Sequence, residues 1–419
     1  MARANESERL PDLGDADWLS RPATRAVFEA ITAKGAEARA VGGAVRNALM
    51  GTPVKDVDIA TTALPGEVMQ LAAAAGLHAV PTGFEHGTVT VVARHEPFEV
   101  TTLRRDIETF GRHARVTFTK DWTEDARRRD FTMNALYCSA DGTVHDPLGG
   151  YPDLKARRVR FIGDAHERIR EDYLRILRFF RFLAEYGDPA APDPEGLAAT
   201  IAERPGLAGL SGERIRAEFL LLLAAPRAVT AVRAMHGAGL LEPVLGAHGN
   251  VEQLARLAAI EAALARSPDA VLRLAALALD GKQTPQALQQ RLRLSAAETA
   301  RLTHAAATDR AFDPDADEKA AQAFIYRHGA QAFFDGAMMD WIRSRDAANA
   351  GARAQRVRLV ERWRAPELPV RGADVLERGV KPGPDVGRVI TAFETWWIAE
   401  GYPSDPQKIA DKLDELDRG

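Results

Sequence analysis

The sequence predicts an α+β head followed by an all-helical remainder. Three observations point there. Short β-rich stretches with period-two patterning are confined to the first ~150 residues. From Leu154 onward Leu, Ala, Arg and Glu recur at helical spacing. The helical texture is broken at punctuating sites, 189–194, Ser267-Pro268 and Thr284-Pro285, and a last composition shift at Pro366-Glu-Leu-Pro369 opens a Gly- and Pro-rich segment before the aromatic helix 391–400. At 419 residues and 46% hydrophobic, the chain is long enough for several globular domains.

In the head, strands are expected at 37–41, 57–61, 78–82, 88–93, 98–103 and 134–139, with helices between them. The first strand runs into Gly42-Gly43, which precedes the helix-like run 44–50. Such a turn exposes backbone N–H groups that cradle phosphate, and Arg46 can add a charge-assisted contact. In the second strand, Asp56 and Asp58 alternate with Val57 and Ile59. Both carboxylates then share one face while the aliphatic pair points inward. Two adjacent anions need a cation, and hard oxygen donors suit Mg²⁺, which takes one or two carboxylates plus substrate phosphates. An isolated Asp-x-Asp is more often a solvated surface pattern; the neighbouring glycine turn favours a nucleotide site.

The run 41–62 resembles the signature of the polymerase beta-like nucleotidyltransferases, and within them the class II group of CCA-adding tRNA nucleotidyltransferases and bacterial poly(A) polymerases. Gly42, Gly43, Val45, Arg46, Gly51, Asp56 and Asp58 match its pattern, whereas Asn47 stands where the family usually has Asp. Asn keeps hydrogen-bonding capacity without the charge, so no metal role is assigned to it. The resemblance divides the chain into a catalytic head (1–150), a neck that recognises the nucleotide base (151–225), a body (226–365) and a tail that contacts tRNA (366–419).

Further motifs extend the resemblance. In 97–105, Glu99 is either the third catalytic carboxylate, as on a neighbouring strand in the family, or an exposed glutamate on an edge strand. The polar stretch 106–115 resembles the flexible loop that helps change nucleotide preference. The segment 125–136, with Arg129, Asp130 and Asn134, resembles the family's ribose-selecting motif: the acid accepts from ribose hydroxyls while guanidinium groups hold phosphates. His145-Asp146 lies in a hinge-like motif, and no His and Asp set of ligand-like spacing supports reading it as a metal hydrolase.

In 170–183, Leu174, Leu177, Phe180 and Leu183 form an apolar stripe that leaves Asp172 and Arg175 together on another face, with Glu171 four residues from Arg175. A surface salt bridge is the ordinary reading. The family uses Glu-Asp-x-x-Arg as an amino-acid template for the incoming base, and the chemistry suits it. Cytosine and adenine each offer an amine donor beside a ring-nitrogen acceptor, which a carboxylate and a guanidinium complement; uracil and guanine do not. Glu171 would orient Arg175, and Arg178 continues the nucleotide-binding face. Residues 210–219 read as a structural helix start capped by Ser211. Residues 368–387 read as a helix–turn–helix, with 383–387 a second candidate for phosphate contact; 240–360 match no motif.

The resemblance implies template-independent addition of CCA to tRNA from CTP and ATP with release of pyrophosphate, using two Mg²⁺ ions roughly 3.5–4 Å apart. Poly(A) polymerase activity, partial CC or A addition, and a catalytically retired RNA-binding protein are the alternatives. The stretch 81–91 and the net charge of −4 favour CCA addition. That charge excludes a uniformly basic RNA-binding coat, so RNA contact must be local; its residues are not identified. One cysteine, Cys138, permits no internal disulfide, and neither a signal-like start nor a membrane-length apolar run is seen. A cytoplasmic enzyme is expected, and the sequence implies no protein partner.

Overall fold

The computed structural model describes residues 10–110, 113–279, 283–306, 313, 316–344 and 349–417. It divides into two compact units, Met1–His248 and Gly249–Gly419.

The first unit opens with α1 (Asp17–Ser20) and α2 (Pro22–Thr32), then β1 (Ala38–Val41), α3 (Gly43–Leu49), β2 (Asp58–Thr61) and α4 (Pro65–Ala74). Prolines begin α2 and α4, where no intrahelical N–H is required. Three strands follow, β3 (His78–Gly83), β4 (Thr88–Ala93) and β5 (Glu96–Thr102). Together with β1, β2, β8 (Tyr137–Cys138) and β9 (Val144–His145) they build a seven-stranded sheet in the order β3-β4-β5-β2-β1-β8-β9. Only β2 and β5 run parallel; the other pairings are antiparallel. Burial alternates along β4 and β5, so Val89, Val91, Phe98 and Val100 face the core.

Two local readings need correction. The stretch 106–115 is not simply a loop: β6 (Arg104–Phe110) and β7 (His113–Phe118) pair as an antiparallel ribbon, with 111–112 outside the described residues. The strand expected at 134–139 shrinks to Tyr137–Cys138, because Thr132–Asn134 forms a 3₁₀ turn. Side-chain bonds hold that turn. Thr132 donates to Asp153 at 2.7 Å, and Asn134 donates to Asp130 at 2.8 Å.

Helices complete the unit: α5 (Trp122–Arg127), α6 (Gly150–Lys155), α7 (Ala165–Glu171), α8 (Leu174–Glu185), α9 (Pro194–Ala202), α10 (Gly212–Ala224), α11 (Ala228–Gly237) and α12 (Leu241–Leu245). Phe179 and Phe182 of α8 pack with Phe131 and Phe161, ring centroids lying 5.0 Å apart for Phe131–Phe182 and 5.6 Å for Phe161–Phe179. This aromatic cluster seats α8 against the segment that leads into the Thr132–Asn134 turn.

The second unit is all-helical: α13 (Val251–Ala263), α14 (Ala270–Ala278), α15 (Pro285–Leu292), α16 (Ala296–Ala306), α17 (Glu318–His328), α18 (Ala330–Arg343), α19 (Ala350–Val357), α20 (Leu359–Arg362), α21 (Gly372–Leu376), α22 (Pro384–Ala399) and α23 (Pro406–Asp417). Arg301 of α16 forks onto Asp269, which caps α14, and onto the fully buried Asp335 of α18. The last helices share a core of Val370, Val375, Val389, Phe393, Trp397 and Leu413, and Gly383 precedes α22 at positive φ.

Candidate active site

The acids sit where β2 begins. Asp56 precedes the strand and Asp58 opens it; both are exposed, while Val57 and Ile59 are buried. The parallel register pairs Ile59 with Val100, so one step back Asp58 is the neighbour of Glu99 on β5. β5 lies between β4 and β2, which removes the edge-strand alternative for Glu99. Partial desolvation, and then the negative charge of Glu99, hold the Asp58 carboxyl above its usual range; Arg129 opposes the shift and Asp56 adds to it. Among the described residues no three or more His, Cys, Asp or Glu side chains form a metal-holding group. The two aspartates offer hard oxygens to a cation whose other positions fall to water and substrate phosphate.

Beside them lies the glycine turn. Gly42 has φ 68°, ψ −116°, a conformation that strains any side chain, and its N–H donates to the Leu136 carbonyl at 3.2 Å. The N–H groups of Gly43, Ala44 and Val45 begin α3 and lack intrahelical acceptors. A Cβ on Gly42 would lie 3.8 Å from Nη1 of Arg129, so the bare turn and this guanidinium face one space. Arg129 donates to Asp125 at 3.1 Å, and its Nε is buried without a partner. Arg46, by contrast, is buried. It donates to Asn134 Oδ1 at 2.5 Å and to Asn47, and lies 3.8 Å over the Tyr186 ring. Burial lowers its pKa.

Asp130 is buried with every acceptor direction used. Oδ1 accepts from Phe131 N and Asn134 Nδ2, both at 2.8 Å, and Oδ2 accepts from Arg178, whose Nε lies at 2.9 Å. Burial alone would raise its pKa; Arg178 and these bonds override it and hold the group down at about 2. A ribose hydroxyl reaching Asp130 must therefore share an oxygen already held by Arg178 or Asn134.

Glu171, Asp172 and Arg175 meet at a break, not on one continuous helix. Asp172 has φ −155°, ψ 104° between α7 and α8, and its Oδ1 accepts from Leu174 N at 3.2 Å. The side chain competes with the helix backbone and restarts the helix as a cap. Arg175 Nη1 donates to Glu171 at 2.6 Å and to the Arg168 carbonyl at 2.8 Å, and Arg168 also pairs with Glu171. That leaves Nη2 and Nε of Arg175 with no protein acceptor among the described residues.

Sequence reasoning missed two residues here. Arg214 of α10, in a segment read as structural, donates to Asp172 Oδ2 at 2.7 Å. Ser211 does cap that helix. Asp125 accepts from Arg128, Arg129 and Tyr137, and after burial, which would raise it, Arg129 and Arg128 hold its pKa at about 2. A lone acid beside consecutive arginines was the available signal. His145 bonds Ser139, and Asp146 accepts from Gly150 N and Tyr151 N, so this dipeptide is a turn brace.

Residues 38–160 match the family described as "Poly A polymerase head domain", and 191–248 match "Probable RNA and SrmB- binding site of polymerase A". The chain is 34% identical over 403 residues to CCA tRNA nucleotidyltransferase 1, mitochondrial, of Danio rerio, covering 90% of this chain and 87% of that protein. The chain belongs to the CCA-adding tRNA nucleotidyltransferase family. It is also 41% identical over 235 residues to the CCA-adding enzyme of Geobacillus stearothermophilus, covering 56% of each. The crystal structure of the Bacillus stearothermophilus CCA-adding enzyme in complex with CTP resembles it with a TM-score of 0.74 at 30% identity, over 95% of this chain and 98% of that one. A nucleotidyltransferase of this family depends on a divalent metal. No described helix is long and apolar enough to cross a membrane.

Proposed function

We infer that this enzyme adds C, C and A to the 3′ end of tRNA from CTP and ATP, releasing pyrophosphate at each step. The observation that carries the residue roles is the placing, in one compact unit, of the Asp56, Asp58 and Glu99 edge with the Glu171, Asp172 and Arg175 junction. Asp56 and Asp58 hold the divalent metal, for which Mg²⁺ is our choice because both donors are hard carboxylate oxygens. When bound, the metal favours ionisation of the RNA 3′-hydroxyl and neutralises the leaving pyrophosphate. Glu99 flanks Asp58 and completes the anionic edge.

Around this edge the chain positions the nucleotide. The amides that open α3 and the Arg129 guanidinium, whose Nη1 lies toward the Gly42 turn, receive the triphosphate. Asp130, held by Arg178 and Asn134, meets the ribose. Asp172 accepts from the exocyclic amine of C or A, and the open Nη2 and Nε of Arg175 donate to the ring nitrogen; the wrong base leaves these groups unpaired. We place the head, neck, body and tail boundaries at 1–150, 151–225, 226–365 and 366–419, and the enzyme in the cytoplasm. A lone cysteine fits a reducing compartment.

The test is to incubate the purified protein with tRNA lacking its 3′ end, with CTP and ATP separately and together. Addition of CCA followed by arrest is expected. A long A tail, or only CC or A, would replace this reading with a poly(A) or partial-adding enzyme. Asp56→Ala should abolish transfer and leave tRNA binding nearly intact; retained transfer would refute the acid assignment.

A further inference from the structure

Asn47, which follows Arg46 in α3, lies between two parts of the site. Its Oδ1 accepts from Arg46 Nη2 at 3.1 Å and Nε at 3.3 Å, while its Nδ2 donates to the Pro53 carbonyl at 3.3 Å. Its own carbonyl accepts from Thr52 N at 2.9 Å and from Thr52 Oγ1 at 3.1 Å. The turn after α3, which includes Gly51 at φ 66°, is thus pinned to Asn47, and three residues beyond Pro53 the chain reaches Asp56. In the other direction Arg46 joins Asn134, and through it Asp130 and Arg178 of α8.

Only a side chain that accepts and donates at once can make both contacts. A carboxylate would keep the Arg46 bonds, even strengthen them, but would set an acceptor against the Pro53 carbonyl.

We propose that Asn47 is a positioning residue whose amide ties the Arg46 network to the turn that delivers Asp56, so that metal affinity depends on its donor half and nucleotide contact on its acceptor half. The proposal rests on the assignment of Asp56 and Asp58 as metal ligands. It is tested with Mn²⁺ as the probe, by following the free-ion electron paramagnetic resonance signal in the presence of a non-hydrolysable CTP analogue, with thermal unfolding as a check on the fold. Asn47→Asp should weaken Mn²⁺ binding severalfold, below the roughly tenfold lower end for a group bonded directly to a metal ligand because Asn47 reaches Asp56 only through the turn, while leaving the dissociation constant of the analogue within about twofold of the parent. Asn47→Ala should weaken both, because Arg46 also loses its acceptor. Mn²⁺ binding by Asn47→Asp equal to that of the parent would overturn the proposal. Asp56→Ala, run alongside, keeps the two levels apart: if it too binds Mn²⁺ like the parent, the metal assignment fails; if it alone loses Mn²⁺, only the role of Asn47 does.

Discussion

At the scale of single residues, the site works by neutralising buried charge with unequal partners. Asp125 is almost wholly buried and is held at about 2 by Arg129 and Arg128 against the effect of burial. A carboxyl lowered in the folded state stabilises it above the ordinary carboxylate range, and that stability is lost as pH falls from about 4 through about 2. A shift of this size corresponds to about 2–3 kcal/mol. Asp125→Asn should therefore lower stability at pH 7 and flatten the acid limb of the unfolding curve, read by denaturant melts at stepped pH; an unchanged limb would assign acid sensitivity to another group. Arg214 bonds Asp172, the acid we propose reads the base. Its bond to Asp172 Oδ2 fixes which oxygen lone pairs remain for an incoming amine. Arg214→Gln should lower discrimination between CTP and UTP about tenfold to a hundredfold, the value of one charge-assisted hydrogen bond. Discrimination equal to the parent would make Arg214 a structural contact alone.

At the scale of elements, what could be read from the sequence depended on whether the cause was local. The alternation of Asp56, Val57, Asp58 and Ile59 is a local pattern, and the exposed and buried faces follow it. The place of Glu99 was not readable, because an internal or an edge position is fixed by which strands flank β5, and those partners are distant in sequence. Helical periodicity likewise found the apolar face of α8 but not the break at Asp172, where a side-chain cap defeats the continuous pattern. The reach of Arg214 to Asp172 spans 42 residues and has no local signature. That break is clamped from outside. A Cβ on Gly206, in the 3₁₀ segment Arg204–Gly209, would lie 2.0 Å from the Tyr173 ring. Gly206→Ala must swing Tyr173, the residue between Asp172 and α8, at a cost of about 1–3 kcal/mol for overpacking. Base choice should loosen along with thermal stability. A loss of stability with the CTP to UTP ratio intact would separate the clamp from the template.

At the scale of the whole molecule, the chain holds two compact units with different kinds of core. Met1–His248 contains every residue we propose for the chemistry. Gly249–Gly419 is bound by its own apolar cluster and by an ionic one in which Arg301 bridges Asp269 and Asp335. Asp335 has no exposure, and burial raises its pKa despite the opposing bond from Arg301. Removing the guanidinium leaves that carboxyl buried beside Asp269 without its cation, which costs about 3–5 kcal/mol for a broken buried pair. Arg301→Ala is therefore expected to lower the unfolding midpoint of the second unit. CTP binding, measured by calorimetry below that midpoint, should match the parent, because every residue we propose for nucleotide binding lies in Met1–His248. Separate denaturation signals from each unit, such as tryptophan fluorescence after replacing Trp18 and Trp122 with Phe so that only the second unit reports, would show the shift directly. CTP affinity falling in step with that signal would mean that the two units are one cooperative body, and that the second unit supports nucleotide binding in the first.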